Sequence, residues 1–339
     1  MRNKTKKIIS KRNPPINISE KDTKLFKHEY KKLIPSSRVK KKYNVYVSNF
    51  QLKKFKHFRY LIKQWRMNPV TNKEKMNFLL RDFYSFFTSK KKAEIIVISK
   101  SSWVIDSRSH QYFHWFTDAM QRIQSLGSLH KEYPILLTSN FNGVEYIKKS
   151  LNLLNINFIE LEENKEYLIE QLIMAERVSP AGNYNKDIVH SISNKFKKTI
   201  TTNKNNINYE KIWISRQSTL KRKILNFDEI EPILLKNNFT VLEYEKLDLE
   251  MQINISNRCK VLGGIHGAGL TNMMFMDKHS SVIEIRAEND NRNNCFFTLA
   301  SDLDLNYYYF LGESQNEDFY GSDYRIDKDD FNNFLKSNF

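Results

Sequence analysis

This sequence predicts an α/β protein built on a doubly wound parallel sheet, and three observations lead there. In the second half, apolar and β-branched runs near 211–215, 239–243, 259–263, 281–285 and 305–310 alternate with helix-patterned stretches at 226–238, 247–258, 269–277 and 291–302. Such alternation calls for parallel strands with helices on both faces. A glycine turn, Gly264-Ile265-His266-Gly267-Ala268-Gly269, then links one of these strands to the helix pattern after it. The first half repeats the strand–helix order less regularly, which makes two domains of this class the expectation.

Taken in order, residues 1–40 read as a loose, basic lead, and 41–183 as a first α/β domain. That domain opens with a short strand, Asn44 to Val47, followed by a basic, aromatic helical stretch and the strand Glu94 to Ile98. Next come helix 111–126, strand 134–137, helix 142–154, strand 156–159 and a further strand over 172–178. Ser179-Pro180-Ala181-Gly182-Asn183 reads as a turn or hinge. Residues 184–312 form the second domain, and 313–339 a tail whose last segment, from Lys328, has the pattern of a helix packing back on the body.

The glycine turn carries the first chemical inference. A strand, a tight turn and a helix start together present backbone N–H groups and a helix dipole to an anion, usually phosphate. Glycines fit such a turn because a Cβ would hold the ligand's oxygens away. The spacing Gly264-x-x-Gly267-x-Gly269 is the reverse of the dinucleotide fingerprint, and the Gly-Lys-Ser/Thr of a P-loop is absent. Ligands in such sheets lie at the carboxyl ends of the strands, where Arg216, His266 and Glu284 all fall. A plainer reading, tight packing alone, fits a glycine turn too; the embedded His266 and the pair Thr271-Asn272 favour a site.

His114 and Asp118 form a second constellation, because i,i+4 spacing puts both on one helical face. A histidine fixed by a carboxylate can accept a proton. An ordinary surface pair of the same spacing is worth only a few tenths of a kcal/mol, and spacing alone favours that reading.

The stretch Ile265-His266-Gly267-Ala268-Gly269-Leu270-Thr271-Asn272 resembles the signature of the family 61 glycosyltransferases. Ile214-Ser215-Arg216 with Arg222-Lys223-Ile224-Leu225-Asn226 resembles a second block of that family, and His114-Trp115-Phe116-Thr117-Asp118 a third. The sequence departs from the pattern at Phe227, where an acidic residue often follows the Asn, and at Arg286-Ala287, where a proline is common. The resemblance implies two Rossmann-like domains facing a cleft (the GT-B arrangement) and inverting transfer of a sugar from a nucleotide donor. Bacterial members of the family act in capsule and other surface-polysaccharide biosynthesis. It implies a donor site of Arg216, Arg222, Asn226, Gly264, His266, Gly267, Ala268, Gly269, Thr271, Asn272 and Glu284, with Glu284 near the ribose or base. The catalytic pair would be Asp118 and His114, Asp118 being the first choice of base.

Charge develops on the diphosphate as the glycosidic bond breaks and must be met by metal or fixed cations. No Asp-x-Asp falls at an obvious strand end, since Asp302-x-Asp304 lies at a predicted helix end, so Arg216 and Arg222 are the expected counter-charges, with no metal and no further cofactor. Two alternatives stay open: a nucleotide-sugar-modifying or phosphate-ester enzyme, and a non-catalytic module binding nucleotide or another polyanion.

Composition sets the remaining bounds. An apolar content of 40% with 13% aromatics excludes a disordered chain, and 339 residues suffice for two cores. No apolar run approaches membrane-spanning length, and MRNKTKKIISKRNPP has a basic start without an apolar stretch, so no secretory signal is read. Cys259 and Cys295 fit no metal or disulfide spacing and read as buried thiols of a reducing compartment. A cytoplasmic enzyme is the expectation. The first 100 residues hold 28 Lys and Arg against 6 Asp and Glu, so the rest is mildly acidic within a total charge of +17. Such a segment either is simply solvated or attracts an anionic membrane surface near a lipid-linked acceptor. Nucleic acid is the weaker partner, because no recognition motif accompanies the charge.

Overall fold

The computed structural model describes residues 7–35, 38–48, 51–55, 58–59, 95–163, 165–199, 209–288, 290–315 and 321–339. The chain divides into two compact units, one of Pro35–Ala181 and one combining Lys7–Ile34 with Gly182–Phe339. Most of the basic aromatic stretch expected before Glu94 lies outside the described residues.

The segment 7–34 is not a loose lead. It contains strand β1 (Lys7–Lys11), the turn α1 (Thr23–Phe26) and strand β2 (Lys31–Pro35), with β1 and β2 forming a two-stranded sheet. Its lysines are mostly exposed, but Ser10, Arg12, Leu25, Phe26 and Ile34 are buried. A few buried residues, not the average charge, decide where it lies.

The first unit carries β3 (Val39–Ser48), β4 (Gln51–Phe55), β5 (Phe58–Arg59) and β6 (Ile95–Trp103). The single turn α2 (Tyr112–His114) and helix α3 (Met120–Ser125) follow, then β7 (Ile135–Leu137), α4 (Glu145–Leu153), β8 (Phe158–Glu160) and β9 (Glu166–Ala175). The strand order is β5-β4-β3-β9-β6-β7-β8. Strands β9, β6, β7 and β8 run parallel, whereas β3 is antiparallel to β9 and β4 and β5 extend it antiparallel. The sheet is therefore mixed, not wholly parallel as the strand–helix reading implied. Two residues separate β3 from β4, and parallel neighbours need a crossover of a dozen or more. The helix expected over 111–126 is interrupted by a π turn, Trp115–Ala119.

The second unit adds α5 (Lys186–Lys198), β10 (Lys211–Ile214), α6 (Phe227–Lys236), β11 (Thr240–Leu242), α7 (Leu249–Arg258) and β12 (Val261–Ile265). After these come β13 (Ser281–Ala287), α8 (Cys295–Asp302), β14 (Asn306–Ser314), β15 (Tyr324–Arg325) and α9 (Lys328–Asn338). Its sheet order, β11-β10-β12-β13-β14-β15, is parallel except for β15. The order of the five parallel strands, second-first-third-fourth-fifth, reverses direction between β10 and β12, and ligands in open sheets lie beyond the strand ends at such a switch. Helix α5 was not expected from the sequence. The separate tail drawn at 313–339 also falls away, because Phe331 and Leu335 of α9 enter the same core as Trp213, Ile230 and Ile283.

Segment 7–34 is bound into this unit. Arg12 donates to Asp302 Oδ2 at 2.9 Å and to Asn183 Oδ1 at 3.3 Å, and Ser10 Oγ donates to Asp302 Oδ1 at 2.7 Å. Asn17 exchanges two hydrogen bonds with the Tyr309 backbone of β14, at 2.7 and 3.1 Å. The Phe26 ring meets Phe297, Tyr307 and Tyr309.

Candidate active site

The glycine turn sits at the switch point. Strand β12 is buried throughout and runs into His266 and Gly267, after which 268–275 form a 3₁₀ segment in place of the α-helix expected over 269–277. The tighter winding and poorer bond alignment of 3₁₀ geometry weaken the dipole argument, which leaves the turn's own amides and its cationic neighbours. The glycines answer to packing more than to a ligand. A Cβ on Gly263 would stand 2.5 Å from the Trp213 ring, and one on Gly269 would stand 2.9 Å from the Ile214 side chain. On Gly264 it would meet the Ile214 carbonyl at 3.2 Å, and on Gly267 the Arg216 guanidinium at 3.0 Å. Adjacent β10 is thereby drawn against the turn, and Arg216, two residues past β10, lies directly on Gly267.

Arg216 and Arg222 are half-buried, and neither forms an ion pair with a carboxylate among the described residues. Burial, then the neighbouring charge of Arg222, pushes the Arg216 guanidinium down, and burial does the same to Arg222. The Nε atoms of both are buried without a partner, while Arg222 Nη1 donates to the His266 carbonyl at 3.2 Å. Arg222 also has φ +59°. A side chain in this left-handed region costs of order 1–3 kcal/mol and persists where its surroundings demand it. Two like charges held together, with no carboxylate in ion-pair contact among the described residues and only Glu245 acting on Arg216 from farther off, are an arrangement that suits an anion.

Behind the turn stands a second set of groups. His266 Nδ1 bonds to Glu284 Oε1, and Asn293 Nδ2 donates to His266 Nε2 at 2.7 Å. Tyr307 Oη donates to Glu284 Oε2, and burial together with that carboxylate keeps the phenol protonated, well above its usual range. Glu284 is fully buried, so it orients His266 instead of standing open to a ribose or base. Asn226 spends both ends of its amide on the Ile326 backbone, at 2.8 and 3.1 Å, and so ties the Arg216–Asn226 loop to the segment after β15. Thr271 and Asn272 are fully buried beneath the turn, where Asn272 donates to Gln252 at 3.1 Å and to the Gly269 carbonyl at 3.0 Å. Gly264 lies inside β12, while Ala268 and Gly269 are half-buried at the start of the 3₁₀ segment. Of the expected donor residues, Arg216, Arg222, His266, Gly267, Ala268 and Gly269 converge; Asn226, Gly264, Thr271, Asn272 and Glu284 support them. Asn293 and Tyr307 escaped the sequence reading because only the fold brings them to His266.

In the first unit, His114 immediately precedes the π turn and Asp118 lies within it, a distortion common at functional sites. His114 Nδ1 donates to Asp118 Oδ2 at 2.8 Å, and the two residues are only 6% and 4% exposed. The ordinary surface-pair reading is therefore excluded. Asp118 Oδ2 also receives Arg177 Nη2 at 3.3 Å, so its charge is already shared. Neither Arg177 nor its further partner Asp106 stood out in the sequence. Arg122, which also pairs with Asp106, sits one turn beyond Asp118 at the same spacing.

No group of three or more His, Cys, Asp or Glu suited to a metal occurs among the described residues. Asp302 is held by Arg12, and Asp304 by Lys186 and Lys278. Both cysteines are free thiols, Cys259 buried and Cys295 half-buried, and burial pushes Cys259 up to about 12. No described helix is long and apolar enough to cross a membrane.

Comparison with known proteins gives the family. EGF domain-specific O-linked N-acetylglucosamine transferase of Drosophila melanogaster is 33% identical over 91 residues, 26% of this chain and 17% of that protein. The proteins of the same description from Mus musculus and Gallus gallus are 33% and 32% identical over 95 residues, again 26% of this chain and 18% and 17% of theirs. The match thus spans less than a fifth of these relatives' length. The sequence model of the family described as Glycosyltransferase 61 matches residues 112–283, half of the chain, from the His114 helix through the glycine turn into β13. The chain belongs to glycosyltransferase family 61.

Proposed function

We propose that this enzyme is an inverting, metal-independent glycosyltransferase that moves a sugar from a nucleotide-sugar donor to a glycan or lipid-linked acceptor in surface-polysaccharide assembly, such as capsule. One observation carries the donor side: Arg216 and Arg222, with no carboxylate in ion-pair contact among the described residues and only Glu245 acting on Arg216 from farther off, stand against the 266–269 turn. They take the diphosphate of the donor, and fixed positive charge at the departing oxygen is the kind of stabilisation that carries such reactions. N-acetylglucosamine, which the relatives' names give as the sugar they transfer, is the first donor sugar to test.

The acceptor side rests on the first unit. His114 takes the hydroxyl proton at Nε2 while Asp118 holds Nδ1–H and balances the imidazolium. The acceptor oxygen bonds to the anomeric carbon as its bond to the diphosphate breaks, and the diphosphate leaves with the electron pair. Asp118 Oδ2 is already bonded by His114 and Arg177, so the proposal gives the proton to His114 in place of Asp118, the first choice from the sequence. A GT-B arrangement is part of the proposal, with acceptor chemistry on the first unit and the donor on the second. So is a cytoplasmic enzyme whose basic N-terminal segment meets the anionic inner leaflet.

A thermal-unfolding screen of nucleotide sugars tests the donor site, because a ligand at a hundred times its Kd stabilises by about 2.7 kcal/mol. The expected result is stabilisation by one nucleotide-sugar class, undiminished by a chelator and lost in Arg216→Ala. No stabilising nucleotide, or equal stabilisation of Arg216→Ala, would sink the donor assignment. Tight binding with no transfer to any acceptor would leave a binding module, and hydrolysis or modification of the donor alone a different enzyme.

A further inference from the structure

Around His114 runs a chain of alternating charge that the acceptor chemistry above leaves unused. Asp118 Oδ2 lies 3.3 Å from Arg177 Nη2, which lies 2.6 Å from Asp106 Oδ2. Arg122 Nη2 approaches the same Asp106 oxygen at 2.9 Å, and Arg122 Nη1 is anchored on the Val104 carbonyl at 2.9 Å. The other Asp106 oxygen accepts the Arg108 N–H at 3.0 Å and Ser109 Oγ at 3.2 Å. These charged groups reach His114 from three places: Asp118 and Arg122 from its own helical stretch, Asp106 from just past β6, and Arg177 from just past β9. The four charged side chains are at most 7% exposed and that of His114 is 8% exposed. Against burial, which pushes it up, the charges of Arg122 and Arg177 hold the Asp106 carboxyl below its usual range.

With two carboxylates and two guanidiniums ionised, the network is neutral only while His114 is neutral. An uncompensated buried charge is expensive. Arg177 spends only Nη2 on these carboxylates, and its Nε and Nη1 are buried without a partner. Its contribution to the network is thus a single positive charge placed between two aspartates.

We infer that Arg177 is a positioning residue that sets the basicity of His114 by sharing Asp118, which rests on the reading of His114 as the base. A carboxylate bonded to the imidazole alone raises its pKa by about one to three units. Arg177 sits on the same Asp118 oxygen as the imidazole and opposes that effect, which favours the form whose Nε2 lone pair is open to a hydroxyl proton.

Imidazole NMR titration of the full-length protein tests this without any substrate, the His114 signal being assigned by its loss in His114→Gln. Arg177→Gln leaves Asp118 to the imidazole alone and moves the His114 midpoint upward by about one unit or more. Asp106→Asn frees the Arg177 charge for Asp118 and moves the midpoint down, while Arg177→Lys, which restores a point charge, keeps it near wild type. A midpoint unmoved in both Arg177→Gln and Asp106→Asn, or moved the same way in both, overturns the inference. Should Arg177→Gln not fold, Asp106→Asn decides alone, an unchanged or raised midpoint being the negative result. The base itself is tested apart: if midpoints shift as expected but His114→Ala keeps full turnover, the network stands and the base assignment falls.

Discussion

The two charged clusters of this protein are built on opposite terms. Around His114 the account is closed, since Arg122, Asp106, Arg177 and Asp118 neutralise one another in a buried chain. At the glycine turn it is open, since Arg216 and Arg222 share a half-buried space with no carboxylate in ion-pair contact among the described residues and only Glu245 acting on Arg216 from farther off. A closed cluster fixes the geometry and proton affinity of one group. An open cluster holds like charges in mutual repulsion, which an incoming anion would relieve. In the proposed function, charge balance within the chain separates the proton chemistry from the ligand site.

The largest effect should come from breaking the closed side. Removing a positioned general base costs about 10²–10⁴ in rate, so His114→Ala should lower turnover by that factor while nucleotide affinity, measured by calorimetry, stays near wild type. Asp118→Asn should fall in the same range, because it withdraws the partner that fixes Nδ1–H. If both variants turn over normally, the cluster is structural and the comparison fails on that side.

On the open side the expected loss is smaller. A charge-assisted hydrogen bond is worth about 1.5–3 kcal/mol, so Arg216→Ala should weaken nucleoside diphosphate binding about tenfold or more while the unfolding midpoint of the free protein does not fall, one of the two like charges being gone. The glycines sharpen the distinction. A Cβ on Gly263 meets the rigid Trp213 ring, so Gly263→Ala should destabilise the protein by about 1–3 kcal/mol in urea denaturation. A Cβ on Gly267 meets only the movable end of Arg216, so Gly267→Ala should leave stability nearly intact and weaken nucleotide binding a few-fold. Equal destabilisation by both would mean that the turn is packing and nothing more.

The smallest effect concerns Asp304. Burial opposes ionisation there, but Lys186 and Lys278 hold its carboxyl at about 2. A pKa below the ordinary aspartate value of about 3.9 contributes stability above that value and loses it as pH falls through the folded one. Asp304→Asn should therefore flatten the decline in Tm between about pH 4 and 2, and an unaltered decline would assign acid sensitivity to other carboxylates.

What was legible in the sequence was local. The β12–turn–β13 unit declared itself through an unbroken apolar strand and its glycines. Helix α5 was equally available, since Asn185 caps it and Val189, Ile192 and Phe196 recur at helical spacing, yet its polar surroundings masked the pattern. The roles of Glu284 and Asn226 depend on Tyr307 and Ile326, which the fold supplies from elsewhere in the chain. Arg177 and Asp106 were invisible for the same reason: a buried ion pair leaves no periodic trace. Segment 7–34 misled because its many lysines outweigh the few residues that bury.

That segment has a consequence for biosynthesis. Arg12 and Asp302 are separated by 290 positions, so at about 5–20 residues per second a ribosome needs roughly 15–60 s to bring the second after the first. Throughout that interval Phe26 and Leu25 have no core to enter, while Pro35–Ala181 emerges complete and free to fold. Segment 7–34 is thus a late-folding piece attached to an early-folding one, and chaperone capture of the nascent chain should concentrate on residues 7–34.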